Sequence, residues 1–181
     1  MFDWMKAAAI AAAIVATSAA ALIAAPVWAL TADEEAAVAI SQQWVKAVTS
    51  RDIEGQVKLL PATMFPRDGD RDRVRKQRAH DNELAVIRKQ KYAMFELGPP
   101  IQTLKVGSAT VVLISYKSAV DSSADGRLQI ESSLIAVALD GQNWSVFDGS
   151  GQNPKSLRTI IPGYTGGLNI PPARSAVVKP E

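Results

Sequence analysis

The chain holds a single histidine, and a carboxylate follows it directly: His80-Asp81. A histidine paired with a carboxylate can serve as a general base near neutral pH. Neighbours on a helix, however, project about 100° apart, and Arg78, Asn82 and Glu83 around the pair are the residues of a solvated face. Asp68, Asp70 and Asp72 alternate as the opening of a calcium loop does. The remainder of that loop is missing: Gly69 is not at the sixth position, Ala79 occupies the twelfth, and Arg71 and Arg73 repel a cation. With one histidine and no cysteine there is no zinc ligand set. No serine elbow, glycine-rich phosphate loop or zinc-protease motif occurs either, so neither metal nor cofactor is expected. Asn143-Trp144-Ser145 matches a glycosylation sequon but falls in a tight turn.

Charge narrows the partners. A formal net charge of +2 over 181 residues excludes a polybasic nucleic-acid binder by bulk charge. Locally the picture differs, because Arg67 to Lys91 carries nine Lys/Arg against five Asp/Glu. Within it Arg73, Arg75, Lys76 and Arg78 form a candidate docking surface for an envelope protein or, weakly, an anionic membrane surface. The plain alternative is a solvated, salt-bridged helix, since Asp68, Asp70 and Asp72 partly cancel the charge.

The elements that must position these residues begin with the N-terminus. Lys6 precedes an apolar run from Ala7 to Ala25, then Pro26-Val27-Trp28-Ala29, with Val27 and Ala29 suited to signal peptidase. Residues 1–29 read as a signal peptide cleaved before Leu30, which makes the protein exported, periplasmic or extracellular; an uncleaved anchor is the lesser reading. With no cysteine, neither disulfides nor a lipoprotein anchor can form. Thr31 to Glu34 is a capping box opening a helix whose Ala37, Ile40, Trp44, Ala47 and Val48 share a stripe. Asp52 caps a short second helix weakened by Gly55 and stopped by Pro61. A helical pattern including Leu84, Ile87, Met94 and Phe95 is expected to stop at Gly98-Pro99-Pro100. From Ile101 to Asp148, turn signals at Gly107, Gly126 and Gly141 divide four consecutive antiparallel strands. A short helix follows from Lys155 to Ile160. One domain over 30–163 is expected, with 164–181 an extended, partly disordered Gly/Pro-rich tail.

This order predicts an α+β fold, N-terminal helices packed on a curved antiparallel sheet of about four strands. The Trp44 helix, the segment from Leu134 to Gly149, and the following Leu157, Pro162 and Ile170-Pro171-Pro172 resemble exported bacterial members of the nuclear transport factor 2-like, or cystatin-like cone, superfamily. The resemblance spans roughly Glu34 to Pro172. It implies a pocket between sheet and helices, used by isomerases, dehydratases and cyclases and equally by non-catalytic binding modules. Asp148 with Tyr116 or Tyr92 would then imitate the acid and tyrosine of such isomerases, whereas Asp148-Gly149-Ser150 is also ordinary turn chemistry. Trp44, Phe65, Tyr92 and Tyr116 either line a cavity for a small apolar ligand or fill it. The preferred expectation is an exported, non-catalytic binding or interaction module; the alternative is an isomerase or lyase acting on an apolar carbonyl compound.

Overall fold

The computed structural model describes residues 29–122 and 126–178, so the expected signal peptide lies outside the described residues except for Ala29. Thr31 opens the first helix by reciprocal capping. Its hydroxyl accepts from the Glu34 backbone N–H at 3.3 Å, and its own backbone N–H donates to the Glu34 carboxylate at 2.9 Å. Two amides without helical partners are thereby satisfied. Helix α1 spans Ala32–Thr49 and buries Ala37, Ser41, Trp44 and Ala47, one stripe at helical spacing. Ser41 tolerates burial because its hydroxyl donates to the Ala37 carbonyl at 2.8 Å. In α2 (Ile53–Leu59), Asp52 accepts from the Gly55 N–H at 2.9 Å. A Cβ at Gly55 would stand 2.4 Å from Asp52 Oδ2, so the residue that weakens the helix makes room for its cap.

A 3-10 turn (Ala62–Met64) leads to α3 (Asp70–Ile87), a polar helix that packs on α2 and reaches the core through Val74. The pattern through Met94 and Phe95 is not helical. Strand β1 already begins at Lys91 and continues through Gly98-Pro99-Pro100 to Val106. Two causes act together. The rings of Tyr92 and Phe95 suit a pleated surface, and Phe95 stacks on Tyr116 of the next strand. The prolines are tolerated because β1 pairs on one side only, with register shifts on either side of Pro100.

The chain then meanders through β2 (Ala109–Ser122), β3 (Gly126–Ala138) and β4 (Trp144–Asp148), crosses α4 (Pro154–Ile160), and returns as β5 (Arg174–Val178). All pairings are antiparallel in the order β1-β2-β3-β4, and β5 lies beside β4 on the same flank of β3. The sheet therefore has five strands, one more than the meander predicts. The segment assigned to the tail supplies the extra one. Tyr164 is buried, its phenol oxygen accepts from the Leu168 N–H at 3.1 Å, and Leu168 and Ile170 pack on the core. Glycine and proline content reports backbone conformation; it does not reveal that half of β3 lacks a neighbour and offers an edge to pair. Every residue of β5 is exposed, so no alternation marks it either.

Ser132 to Ala138 of β3 is buried throughout because both faces of the sheet are covered. On one face Val112, Ile114 and Ala136 lie under Ala37 of α1. On the other, Val111, Leu113, Ile135, Val137 and Phe147 meet Leu157 and Ile160 of α4, Ile161 and Tyr164. The result is an α+β fold with helices packed on a curved, unclosed antiparallel sheet.

Candidate functional site

Where the sheet curves beneath the C-terminal half of α1, a second cluster fills the concave side: Trp44, Tyr116, Leu134 and Val146. Alternation along β2 brings Tyr116 to the face it shares with Ile114, and helical spacing brings Trp44 above it. Phe95 of β1 sits between them. It stacks on Tyr116 with ring centroids 4.9 Å apart and meets Trp44 edge-on at 6.2 Å; Tyr92 leans against it at 5.9 Å. Trp44 and Tyr116 retain only 5% and 7% of their exposure, whereas Tyr92 retains 40% and stands at the rim. The rings pack on one another, and Tyr116 also lines a depression of about 480 Å³ with Leu97, Ser115 and Ser132. The Trp44 indole N–H is enclosed without a hydrogen-bond partner among the described residues.

Asp148 ends β4 opposite Leu134, on the face that carries Tyr116. Burial, and then the negative charge of Asp148, push the Tyr116 phenol up to about 12, so it stays neutral at any physiological pH. Asp148 itself is half-buried and accepts from the Ser150 backbone N–H at 2.8 Å, a turn-forming contact. Burial also raises Tyr92, against the opposing charges of Arg78 and Arg51.

Phe65 does not join this group. It packs on the opposite face of the sheet, with the α4 cluster, under the Arg71 guanidinium at 4.8 Å. The chain has already reached that cluster at Leu60, ahead of the 3-10 turn, while Leu59 still packs with Trp44 and Tyr116; sequence spacing gives no sign of that crossing. Phe95 takes the place expected of Phe65. The alternation of β1 would have indicated it, had Met94 and Phe95 not been assigned to a helix.

The basic segment is largely committed internally. Arg73 pairs with Asp70 at 2.9 Å, while Arg75 bridges Glu54 at 2.8 Å and Asp72 at 2.7 Å. Asp70, buried at the start of α3, also accepts from the Arg67 N–H at 3.0 Å. Of the three alternating aspartates, Asp70 thus anchors the turn into α3 and Asp72 pairs along the helix. Lys76 is exposed and Arg78 turns toward the rim near Tyr92. His80 and Asp81 are both exposed, and Asp81 accepts from Gln77 at 2.9 Å.

Two of the surface depressions bear on these residues. One, of about 480 Å³, lies against Gly98, Ser115 and Ser133 under Pro171 and Pro172, beside the Lys117–Glu131 ion pair at 3.0 Å. The Ser132 and Ser133 hydroxyls have no partner there among the described residues. The other is a wide groove between the C-terminal ends of α1 and α3, floored by Val45, Val86 and Tyr92. Among the described residues no helix is long and apolar enough to cross a membrane. Comparison of the chain with protein-family models and with curated proteins finds no match.

Proposed function

We propose that this chain is an exported, non-catalytic binding or interaction module of the cell envelope, built on a cone scaffold of the nuclear transport factor 2-like kind. The observation that carries this reading is the packing of Trp44, Phe95 and Tyr116 on one another, which leaves Trp44 and Tyr116 almost wholly buried. The commitment of Asp148 to the Ser150 turn adds support. Export rests on the N-terminal signal pattern and the cleavage-like Val27/Ala29 pair. Binding then belongs to the outer surface, with an envelope protein or the membrane surface as partner.

One observation favours the enzyme reading: Asp148 and Tyr116 act on each other electrostatically, as an acid and a phenol in a site would. The two readings separate in one experiment. The chain is used to capture partners from envelope extract alongside the Asp148→Asn/Tyr116→Phe variant, with folding of both checked by circular dichroism. The binding-module reading predicts the same captured partners for both. Loss of capture from a folded variant would move the function into the cone.

A further inference from the structure

Helices α1 and α3 end side by side and in the same way. After the cap of each, one residue turns left-handed: Arg51 at φ 59° and Lys89 at φ 51°. The Arg51 N–H bonds the Val48 carbonyl at 3.1 Å and the Asp52 N–H the Ala47 carbonyl at 2.8 Å. Lys89 and Gln90 repeat the pattern on Val86 at 2.9 Å and Ala85 at 2.8 Å. This is the Schellman closure, in which glycine is the residue of least strain. Among the described residues no other non-glycine has positive φ. Both exceptions are cations, and both line the same groove, of about 960 Å³.

What lies beside them is apolar and exposed. Ile87 retains 69% of its exposure and Val86 59%, the two largest among the exposed large apolar side chains of the described residues, and Tyr92 retains 40%. Lys91 adds a third cation to the rim. Asp121, opposite Lys91 across the β1–β2 ladder, is tied to Arg127 at 2.6 Å, and neither Lys89 nor Lys91 makes an ion pair among the described residues. The helix dipole favours a cation at each C-terminus. It gives no reason for leaving Val86 and Ile87 in water beside them.

Cations ringing exposed aliphatic side chains and an amphipathic tyrosine suit the boundary between lipid phosphates and acyl chains. We propose that this corner docks the chain on an anionic lipid surface. Val86, Ile87 and Tyr92 enter the headgroup region while Lys89 and Lys91 meet the phosphates; the Arg51 guanidinium, half-buried, donates to the Gln90 carbonyl at 2.5 Å and braces the turn that carries them. The inference rests on the envelope reading for where such a surface is met, but vesicle binding does not depend on export, so the two fail separately.

Because the sequence has no cysteine, an environment-sensitive dye can be placed at Ile87→Cys alone, with Lys155→Cys as the control position on α4. The full chain is titrated with phosphatidylcholine vesicles with and without phosphatidylglycerol. The dye at position 87 should shift to the blue with anionic vesicles only, and the dye at 155 should not. Lys89→Gly puts glycine where the backbone favours it, and the double change Lys89→Gly/Lys91→Gln removes only exposed side chains, so melting temperature holds or rises. Each lost charge should weaken the response about fivefold, the equivalent of about 1 kcal/mol per basic residue at a lipid surface. No shift at position 87, equal shifts with neutral vesicles, or an undiminished response in the folded double variant would overturn the proposal. Protection of the dye by an envelope protein but not by vesicles would overturn it in favour of a protein partner.

Discussion

Trp44→Ala removes the largest side chain of the concave cluster, and its cost can be worked from the surroundings. The indole is 95% buried against Phe95, Tyr116, Leu134 and Val146. About 200 Å² of ring leaves the interior, which at about 25 cal/mol per Å² is about 5 kcal/mol, and a cavity on this scale adds to it. Against this, the indole N–H is buried without a partner. Deleting it returns part of a desolvation cost of about 1 to 3 kcal/mol. The expected net loss is about 3 to 5 kcal/mol, a large share of the stability of a domain of this size. Trp44→Phe keeps a ring and removes the orphaned donor, so it should cost less than about 1.5 kcal/mol. Urea unfolding followed by circular dichroism measures both, with an unchanged m-value certifying that only stability moved. A Trp44→Ala change below about 0.5 kcal/mol, the surface range, would refute the filled-cone reasoning. Equal costs for the two variants would refute the reasoning that the ring's packing carries the stability.

Tyr116, held at about 12 against an ordinary 10.0, favours the native chain while neutral, so its contribution is complete below pH 10 and is lost as pH rises toward 12. Ultraviolet titration should find a tyrosine ionising near pH 12, later than Tyr92, whose phenol is also raised, and Tyr116→Phe should abolish that last step. Asp140 behaves in the opposite sense: the Asn143 and Gln142 backbone N–H groups and the Asn143 amide hold it at about 2. Its contribution is present above pH 3.8 and disappears as pH falls toward 2, so Asp140→Ala should flatten stability over that acid window in pH-dependent melts. Gly149→Ala should destabilise by about 1 to 3 kcal/mol in thermal melts, because its Cβ would lie 2.9 Å from the Ser133 carbonyl oxygen and 3.3 Å from Ile135. A neutral result would mean that the β3–β4 edge gives way easily.

The elements with local signals were legible. Thr31 and Glu34, Asp52 and Asn153 each announce a helix start through a short polar side chain that serves the first amides. The Asp140-Gly141 turn fixes where β3 hands over to β4. What escaped depends on distant partners. Tyr92 to Phe95 carries a partial helical stripe, and only the stacking of Phe95 on Tyr116 makes it a strand. β5 has no pattern of its own and exists because residues 127–131 of β3 present an open edge. The pairing of Asp148 with Tyr116 or Tyr92 comes from the family resemblance; alternation places Asp148 and Tyr116 on one face of the sheet. Phe65 lies on the other face, where the chain has already arrived at Leu60, and no local pattern marks that crossing. Arg51 and Lys89 escaped because a basic residue in the left-handed position looks, in sequence, like any solvated charge.

The envelope reading depends on export, and the intact mass of the protein recovered from the released envelope fraction of expressing cells tests it most directly. A mass matching Leu30–Glu181 is predicted, from cleavage after Ala29. The full 181-residue mass in the cytoplasmic fraction would contradict it.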